Sequence, residues 1–299
     1  MLVLNLLIWN VRGLNNPARR LRIRVVVAAN SASFVCFQES KLSAVSLSLV
    51  QDACGMYFMD FVYSPADGTR GGLLIAWNGD LFHASNPYIC PNWVSVDCVV
   101  RSSGAEFHLF AVYGPQLEAE KFRFLTELQQ LVPSDYPCII CGDFNLIAAA
   151  DEKSSANVNR RTMAAFRRFI NELQLLDLYL HGRRYTWSNE QAAAVMVKLD
   201  RVLYSAEWND LFPGCLLQAL SSDISYHYPM LLSLDTNFVH CRHFRFENRW
   251  VQLEGFMESV AESWAAPVNH SDAFVRSRCK LSRLGKHLKS WSARLIGDL

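Results

Sequence analysis

Six short polar segments carry the side chains that could do chemistry in this chain, and each lies where an apolar run ends. They are Trp9–Gly13, Gln38–Ser40, Tyr113–Pro115, Gly142–Asn145, Leu199–Arg201 and Ser225–Pro229. Together they offer carboxylates, amides, a phenol and an imidazole. Carboxylate oxygens suit a hard ion such as Mg²⁺ or Mn²⁺, and imidazole or amide donors can hold the nonbridging oxygens of a phosphate. The six segments therefore predict one active site for metal-assisted cleavage of a phosphodiester.

Two of the segments contain the residues best suited to a metal ion and to a reacting water. Glu39 closes the second apolar run and is the strongest candidate for a metal ligand. Asp143 would orient or deprotonate the attacking water, and Asn145 would bind phosphate or water. These two residues would project to the same side if the segment is extended. Gly142, just before them, would allow close approach of the backbone.

The other polar side chains would hold the phosphate. Asp200 is expected to end a strand over 197–199 and to accept a hydrogen bond from the imidazole of His227. Such a contact fixes the tautomer of a histidine and favours the imidazolium, which can donate to a phosphate oxygen. Tyr113 ends another apolar run, where its hydroxyl could donate to phosphate or its ring could serve only in packing.

The composition is that of a folded protein with no global attraction to nucleic acid. The 299 residues are 51% hydrophobic, which excludes wholesale disorder and fits one α/β domain with an appendage. The formal net charge of +1 means that binding to nucleic acid requires a local basic surface. Nine cysteines, several inside apolar runs, indicate free thiols in a reducing compartment.

Membrane insertion and export are not expected. Met1–Trp9 is apolar, but it is short and has no basic leader, which predicts a buried strand and not a signal peptide. Elsewhere no apolar stretch reaches the roughly 18 residues of a membrane span. We therefore expect an intracellular protein that does not use a membrane as a partner. The oligomeric state is left undefined by the sequence.

Short apolar runs typical of strands alternate with a few amphipathic segments. The runs are 3–9, 34–38, 56–63, 73–77, 93–100, 107–113, 138–141, 197–204 and 230–234, and the helical segments are 18–29, 118–131 and 160–175. Residues typical of β-hairpin turns at Pro65–Gly68 and Ser102–Gly104 favour antiparallel pairing of the strands beside them. We therefore predict an α/β fold, a four-layer sandwich of two mainly antiparallel β-sheets flanked by helices, with the site at one edge where strand ends converge.

The character of the chain changes near Asn237. We predict a first domain over 1–238, followed over 239–299 by a linker and a basic amphipathic helix. Residues 240–299 carry ten Lys and Arg against six Asp and Glu, and their apolar residues at heptad-like spacing are Phe274, Leu281, Leu284, Leu288, Trp291 and Leu295. This helix either packs through its apolar face or binds nucleic acid or a partner.

Several motifs resemble those of the endonuclease/exonuclease/phosphatase superfamily. They are Trp9–Leu14, Gln38–Leu42, Gly71–Trp77, Val112–Pro115 and Gly142–Asn145. Others resemble the endonuclease domain of plant-type non-LTR (LINE) retrotransposons, namely Glu152–Ser154, Gly182–Ser188, Leu199–Arg201 and Leu211–Gly214. The resemblance covers about residues 3–235 and implies a fold like that of deoxyribonucleases and AP endonucleases. Phe244–Trp250 resembles the linker that precedes reverse transcriptase in these elements, so the last region would be the start of a truncated retroelement segment.

The resemblance also implies which residues form the site. The catalytic positions would be Tyr113, Asp143, Asn145, Asp200 and His227, and the metal positions would be Glu39 and Asn10. It implies Mg²⁺ (or Mn²⁺) as the cofactor and DNA, through its phosphodiester backbone, as the partner. Action on genomic DNA would place the protein in the nucleus.

One position departs from the pattern of the family. The family motif reads Ser-Asp-His-x-Pro, whereas Ser225–Pro229 has Tyr226 in place of the acid that helps to bind metal. Asp223 lies three residues early and cannot replace that acid in an extended strand. Loss of one carboxylate would weaken metal binding, and the bulky phenol could obstruct the phosphate.

The sequence thus favours a metal-dependent phosphodiester hydrolase, a DNA-nicking endonuclease of the retrotransposon type whose activity Tyr226 could weaken. By resemblance, the nick would leave a free 3′ hydroxyl. The alternative is a catalytically inactive remnant of a retroelement that at most binds nucleic acid or another partner. A third reading, a phosphatase acting on small phosphoesters, is disfavoured by the motif at Gly182–Ser188.

Overall fold

The computed structural model of the chain describes residues 4–68, 70–189, 191, 194–234 and 248–268, and scattered positions between 273 and 291. The strands, in chain order, are β1 (Asn5–Asn10), β2 (Ala32–Gln38), β3 (Phe58–Asp67), β4 (Arg70–Asn78), β5 (Phe82–Ile89), β6 (Trp93–Val100), β7 (Glu106–Tyr113), β8 (Cys138–Asp143), β9 (Leu176–Asp177), β10 (Leu180–His181), β11 (Trp187–Ser188), β12 (Met196–Val197), β13 (Asp200–Tyr204), β14 (Leu216–Ala219) and β15 (Met230–Ser233). The helices are α1 (Pro17–Ala29), α2 (Leu47–Cys54), α3 (Glu118–Gln129), α4 (Arg160–Glu172), α5 (Ala206–Leu211) and α6 (Phe256–Ala265), and single 3₁₀ segments cover Ala150–Glu152 and Asn248–Gln252.

The strands form two main sheets. The first has seven strands in the order β10-β14-β15-β1-β2-β4-β3, and the second has six in the order β5-β6-β7-β8-β13-β9. Parallel pairs occur between β1 and β2, between β10 and β14, and between β7 and β8. The other pairs within the two sheets are antiparallel. The predicted pair of mainly antiparallel sheets is confirmed, with two parallel pairs in the first sheet and one in the second.

The two sheets pack face to face over one apolar core. Leu6 and Ile8 of β1 share this core with Ile139 of β8. Leu7 and Trp9, the alternate residues of β1, belong to a second apolar cluster on the outer face of the first sheet. Because successive side chains of a strand point to opposite faces, a strand covered on both sides must be apolar throughout. That requirement explains the unbroken hydrophobic run at the start of the chain.

Helices cover the outer face of each sheet. Val27 of α1 and Val50 of α2 lie in the cluster on the first sheet, and Phe124 of α3 and Phe166 of α4 lie in the cluster on the second. These helices complete the four layers that the sequence predicts. In the part of the chain that the structure describes, no helix is both long enough and apolar enough to cross a membrane.

Most predicted elements are present, but the run over 197–204 is not one strand. It divides into β12 and β13 because the backbone N–H groups of Lys198 and Leu199, the two residues between them, donate to acceptors outside the two main sheets. The N–H of Lys198 donates to the carbonyl of Glu152, and the N–H of Leu199 donates to the hydroxyl of Thr186. Asp200 therefore begins a strand, and the prediction that it ends one is wrong. The edge strand β5 and the short helix α2 were not predicted.

The chain divides into two compact units, Met1–Val239 and His240–Leu299. In the second unit Trp250, Phe256 and Leu288 form a small apolar cluster, with Leu284 and Trp291 packed against it. Three of the heptad-like positions thus pack within their own unit. Two others, Phe274 and Leu295, lie outside the described residues.

We expect a fragment ending at Val239 to fold without the second unit, because both sheets and the helices that cover them lie in the first. The measurement is thermal unfolding followed by circular dichroism, with the full chain as the reference. A single cooperative transition at a similar temperature is expected. An insoluble or molten fragment would show that the last 60 residues belong to the folding unit of the sandwich.

Candidate active site

The polar segments meet because of the directions in which their strands run. Asn10 ends β1, and Glu39 follows β2, which is parallel to β1, so both lie at one edge of the first sheet. His227 precedes β15, which is antiparallel to β1, and so comes to the same edge. The start of an antiparallel strand lies beside the end of its neighbour. Residues from both ends of the first unit are thereby brought to one place.

The second sheet contributes its own strand ends to this edge. Tyr113 and Asp143 are the last residues of the parallel strands β7 and β8, and they are paired in register. Asp200 is the first residue of the antiparallel strand β13 and lies directly opposite Asp143. The structure thus brings together all seven residues that the sequence predicts for the site. Their catalytic and metal-binding roles remain predictions.

An amide links the two carboxylates nearest the centre of the site. The Nδ2 of Asn10 donates to Glu39 Oε1 at 2.9 Å and to Asp143 Oδ2 at 3.0 Å. The Oδ1 of Asn10 accepts from the backbone N–H of Arg12 at 3.2 Å, which fixes the orientation of the amide. Asn10 therefore holds the carboxylates close together as a donor to both.

A buried Asp–His pair lies beside these carboxylates. The Nδ1 of His227 donates to Asp200 Oδ2 at 2.8 Å, as the sequence predicts. Its Nε2 lies 3.7 Å from Asp143 Oδ2, which is too long for a hydrogen bond. The imidazole is held by Asp200 and presents its second nitrogen toward Asp143. This leaves one N–H of the histidine available to another acceptor.

The positioning role of Thr186 escaped the sequence reasoning. Its buried hydroxyl accepts from the backbone N–H groups of Leu199 and Asp200, at 3.0 and 2.9 Å, and so fixes the backbone that carries the Asp200 carboxylate. Thr186 lies within the motif Gly182–Ser188, and that was its only signal in the sequence. Similarly, the hydroxyl of Ser225 donates to the carbonyl of Asn10 at 2.7 Å and ties the His227 segment to β1.

The segment after β8 is a turn and not an extended strand. Asn145 has φ +50°, its backbone N–H donates to Asp143 Oδ1 at 2.9 Å, and its side chain donates to the carbonyl of Gly114 at 2.7 Å. The condition under which Asp143 and Asn145 would project to the same side is not met, because the aspartate side chain closes a local turn onto the following backbone. Asn145 thereby stabilises the position of Asp143.

Gly142 has the close backbone approach that the sequence predicts. It has φ +132°, and a Cβ there would lie 2.3 Å from the carbonyl oxygen of Val112 and 2.9 Å from Gln38 Nε2. A side chain would have to displace the neighbouring strand. Only glycine fits this position, which brings the end of β8 close to the end of β2.

Tyr113 and Lys41 border the carboxylates, whereas Tyr226 does not. The hydroxyl of Tyr113 hydrogen-bonds Glu39; burial and the charges of Glu39 and Asp143 raise its pKa, so the phenol stays neutral. Lys41 Nζ lies 3.5 Å from Glu39 Oε2 and was not assigned a role from the sequence. Tyr226 does not join the carboxylates: its ring is 38% exposed and lies beneath the guanidinium of Arg12.

Arg201 follows Asp200 directly, and an Asp-Arg pair after an apolar strand is most often a surface ion pair. The structure shows instead that the side chain of Arg201 is fully buried, with ion pairs to Glu152 at 2.7 Å and to Asp177 at 2.8 Å. In a strand, the residue after Asp200 points to the opposite face, so it cannot contact the same partners. Arg201 therefore joins β13 to β9 and to the Ala150–Glu152 turn.

The pKa values of Asp143 and His227 are both raised above their ordinary values. Burial raises the pKa of Asp143 to about 6, an effect that His227 and the hydrogen bonds from Asn10 and Asn145 only partly oppose. Burial lowers the pKa of His227, but the carboxylates of Asp200 and Asp143 outweigh it and raise the pKa to about 9. At neutral pH the site therefore contains an ionised Asp143 beside an imidazolium.

The raised pKa of His227 predicts a pH dependence of stability for the metal-free protein. A group whose pKa is higher in the folded state stabilises the fold below its unfolded value of about 6.5, and this contribution is lost as pH rises through about 9. We expect the free energy of unfolding in urea with EDTA to fall between pH 6 and pH 9.5 by on the order of 3 kcal/mol more in the wild type than in His227→Gln. Parallel pH profiles for the two proteins would contradict the assignment.

The donor set fits a hard divalent cation. Ligand atoms of Glu39, Asp143 and His227 all lie within 4.8 Å of one another. The imidazolium of His227 cannot be a ligand while both of its nitrogens carry protons, so the carboxylates of Glu39 and Asp143 are the groups that would hold the ion. Carboxylates are the ligands that Mg²⁺ and Mn²⁺ prefer, and burial, which raises the pKa of Asp143, disfavours its charged form in the absence of a cation.

The sequence of this chain matches one known protein family. Residues 7–227 match the group described as the Endonuclease/Exonuclease/phosphatase family. An uncharacterized 149 kDa protein of transposon TX1 from Xenopus laevis is 22% identical over 184 residues, which is 59% of this chain and 14% of that protein. The chain thus spans a small part of the length of this relative.

Solved structures share the fold at low sequence identity. The AP endonuclease LMAP from Leishmania major superposes with a TM-score of 0.62 at 14% identity, over 78% of this chain and 88% of that one. The endonuclease domain of TRAS1, a telomere-specific non-LTR retrotransposon, superposes with a TM-score of 0.56 at 16% identity, over 78% of this chain and 98% of that one. These superpositions confirm the predicted sandwich like that of the AP endonucleases.

Proposed function

Because this chain belongs to the Endonuclease/Exonuclease/phosphatase family, we propose that it is a metal-dependent endonuclease of the retrotransposon type that nicks one strand of DNA. The observation that carries the proposal is the continuous arrangement of polar groups from Glu39 through Asn10 to Asp143, with His227 and Asp200 beside it. It combines a carboxylate pair for a cation, a base for water and a cationic donor for phosphate. These are the groups that hydrolysis of a phosphodiester requires.

Asp143 has the properties of the base that takes a proton from the attacking water. A general base must be ionised at the working pH: burial raises the pKa of this carboxyl to about 6 in the metal-free protein, and a cation at the site would lower it and keep the carboxylate ionised. Asn10 and the backbone of Asn145 donate to its two oxygens and fix the direction of its lone pairs. A water between Asp143 and the phosphate would thus be held in line for attack.

His227 has the properties of a donor to a nonbridging phosphate oxygen. Asp200 keeps the imidazole protonated and oriented. The Nε2 of His227 lies too far from Asp143 to form a hydrogen bond with it. An imidazolium aimed at the place where negative charge grows stabilises the transition state. Mg²⁺ or Mn²⁺ held by Glu39 and Asp143 would supply further neutralisation of the phosphate and of the leaving oxygen.

DNA as the substrate and the retrotransposon type rest on two supports. One is the likeness of sequence to a transposon protein, and the other is the motif Gly182–Ser188, whose Thr186 supports Asp200. The test is conversion of supercoiled plasmid to the open circle with Mg²⁺ or Mn²⁺, and EDTA is expected to abolish it. Release of inorganic phosphate from small phosphoesters without plasmid nicking would favour a phosphatase instead.

Tyr226 favours a second candidate, a catalytically inactive remnant that binds nucleic acid. Its phenol supplies no carboxylate beside His227, whereas the family motif has an acid there. The intact hydrogen bonds among Asn10, Glu39, Asp143, Asp200 and His227 argue against this candidate. A protein that binds DNA but leaves supercoiled plasmid intact at every metal concentration would support it.

We expect Tyr226→Asp to nick DNA faster than the wild type at low Mg²⁺, because a negative charge at the mouth of the site, although outside the Glu39–Asp143 pair, attracts the cation. The Mg²⁺ concentration for half-maximal rate should fall severalfold, since one nearby charge changes the local cation concentration without adding a ligand. The measurement is nicking rate against Mg²⁺ concentration. Tyr226→Asn is the matched control, since it has the shape of the aspartate without the charge. Identical curves for all three proteins would show that a charge at residue 226 does not attract the cation.

A further inference from the structure

A basic cleft adjoins the carboxylates of the candidate active site. It has a volume of about 520 Å³, and the residues of its lining that carry charge or an aromatic ring are Arg12, Arg19, Arg22, Lys41, Asp223 and Tyr226. Four cations thus face a single carboxylate, in a chain whose net charge is only +1. A cleft with this local excess of positive charge is complementary to an anion.

Two hydrogen bonds and an ion pair connect the basic cleft to the candidate active site. The backbone N–H of Arg12 donates to Asn10 Oδ1, and Lys41 Nζ lies 3.5 Å from Glu39 Oε2. Ser225, which precedes Tyr226, donates its hydroxyl to the carbonyl of Asn10. The lining of the cleft is therefore in contact with Asn10 and Glu39 of the candidate site.

Not all of the cations are available to a ligand. Arg22 is paired with Asp223, Arg19 donates to the carbonyls of Val11 and Ile224, and one side of the Lys41 ammonium faces Glu39. Arg12 instead rests on the ring of Tyr226, with its Cζ 4.0 Å from the ring centroid. A guanidinium on an aromatic ring keeps its in-plane N–H groups and its outer face free.

The Tyr226–Arg12 stack is presented outward by the backbone. Residues 226–228 pair with 186–188 through the N–H of Ser188 to the carbonyl of Tyr226, and the N–H of Tyr228 to the carbonyl of Thr186. In such an extended segment alternate side chains face opposite ways, so His227 is buried while Tyr226 is exposed. The stack is therefore a flat, charged platform at the entrance to the site.

We propose that the basic cleft binds one unpaired nucleotide next to the scissile phosphate, with its base on the Tyr226–Arg12 stack and its phosphate near Lys41 and Arg12. The proposal rests on the proposed function, and it specifies the substrate as DNA that is single-stranded or locally unpaired at the nick. A cleft of this volume has room for a nucleotide. In an intact duplex the faces of the bases are covered by their neighbours, so a stacking platform can act only on an unpaired base.

The test measures binding in EDTA, where no cleavage occurs. The probes are a fluorescein-labelled single strand of roughly 15 nucleotides, within the range that single-strand binding folds contact, and its fully paired duplex. We expect tighter binding to the single strand by the wild type. Tyr226→Leu should raise the Kd for the single strand roughly 5- to 20-fold and leave the duplex Kd within about twofold, since stacking supplies the difference. Tyr226→Phe keeps the ring and should bind like the wild type.

A second variant separates stacking from charge. Arg12→Lys keeps the charge but loses the planar group, so it should weaken single-strand binding roughly fivefold without changing the slope of log Kd against log salt. The matched control is Tyr57→Leu, which removes an exposed tyrosine next to the start of β3, and it should change neither Kd. Thermal unfolding of each variant verifies the fold.

The outcomes distinguish this proposal from the proposed function. Equal losses on single strand and duplex, unchanged binding by Tyr226→Leu, or tighter binding to the duplex by the wild type would overturn the proposal even if the protein nicks plasmid. The expected pattern in a wild type that never nicks would support the cleft as a nucleotide site and overturn the endonuclease function alone.

Discussion

Replacing Asp143 by asparagine, or His227 by glutamine, is expected to lower the rate of DNA nicking by about 10²- to 10⁴-fold, the usual contribution of a positioned acid or base. Asp143→Asn removes the proton acceptor for the attacking water. His227→Gln removes the cationic donor to the phosphate. Because both groups act on one reacting phosphate, the double variant should be only slightly slower than either single one. The measurement is the initial rate of open-circle formation at saturating Mg²⁺.

The chain offers a matched control for these substitutions. His108 is paired with Asp97 at 2.6 Å, and this second Asp–His pair lies outside the candidate site. Its variants His108→Gln and Asp97→Asn should nick at the rate of the wild type. Unchanged nicking in Asp143→Asn or His227→Gln, with thermal unfolding like that of the wild type, would show that these roles are misassigned.

Glu39→Gln is expected to raise the Mg²⁺ requirement and to reduce the rate by at least about 10- to 100-fold. That is the loss found when a group that only supports a metal ligand is removed, and Glu39 is assigned as a ligand itself. The substitution keeps the shape of the side chain and its contact with Asn10, but it removes one of two carboxylates that would hold the ion. Loss of an anionic oxygen weakens binding of a hard cation.

A metal titration gives this prediction a readout other than nicking. Binding of Mn²⁺ to the wild type, Glu39→Gln and Glu106→Gln is measured by calorimetry, and only Glu39→Gln should bind more weakly. Glu106 is exposed and begins β7, whereas the site lies at the other end of that strand. Equal Mn²⁺ affinity in Glu39→Gln and the wild type would remove Glu39 from the metal site.

Several features of the protein followed from the sequence alone. Unbroken apolar runs, separated by turn residues, predicted most strands and the layered fold, because a strand covered on both faces must be apolar at every position. The polar residues at the ends of those runs, together with the resemblance of their motifs to a known family, predicted the seven side chains that the structure brings together. These predictions rest on residue type and order, which the chain carries locally.

Other features depended on contacts between distant segments, which local order does not contain. Whether Asp200 ends or begins a strand was decided by Thr186, since its hydroxyl takes the backbone donors that would have continued the ladder. The direction of Asn145 was decided by the Asp143 turn and by the carbonyl of Gly114. In both cases a backbone donor had two possible partners, and the partner brought near by the fold determined the outcome.

Tertiary contacts also decided the surroundings of Arg201 and Tyr226. In the sequence, Arg201 directly follows Asp200, and Tyr226 stands where the family resemblance implies a metal-binding acid. Tertiary contacts buried Arg201 between Glu152 and Asp177, and they placed Tyr226 under Arg12 at the mouth of a basic cleft. Strand alternation sets only the face on which each side chain lies. Which charged residues lie on that face depends on the order of the strands in the two sheets, and strands far apart in the chain become neighbours only in the folded protein.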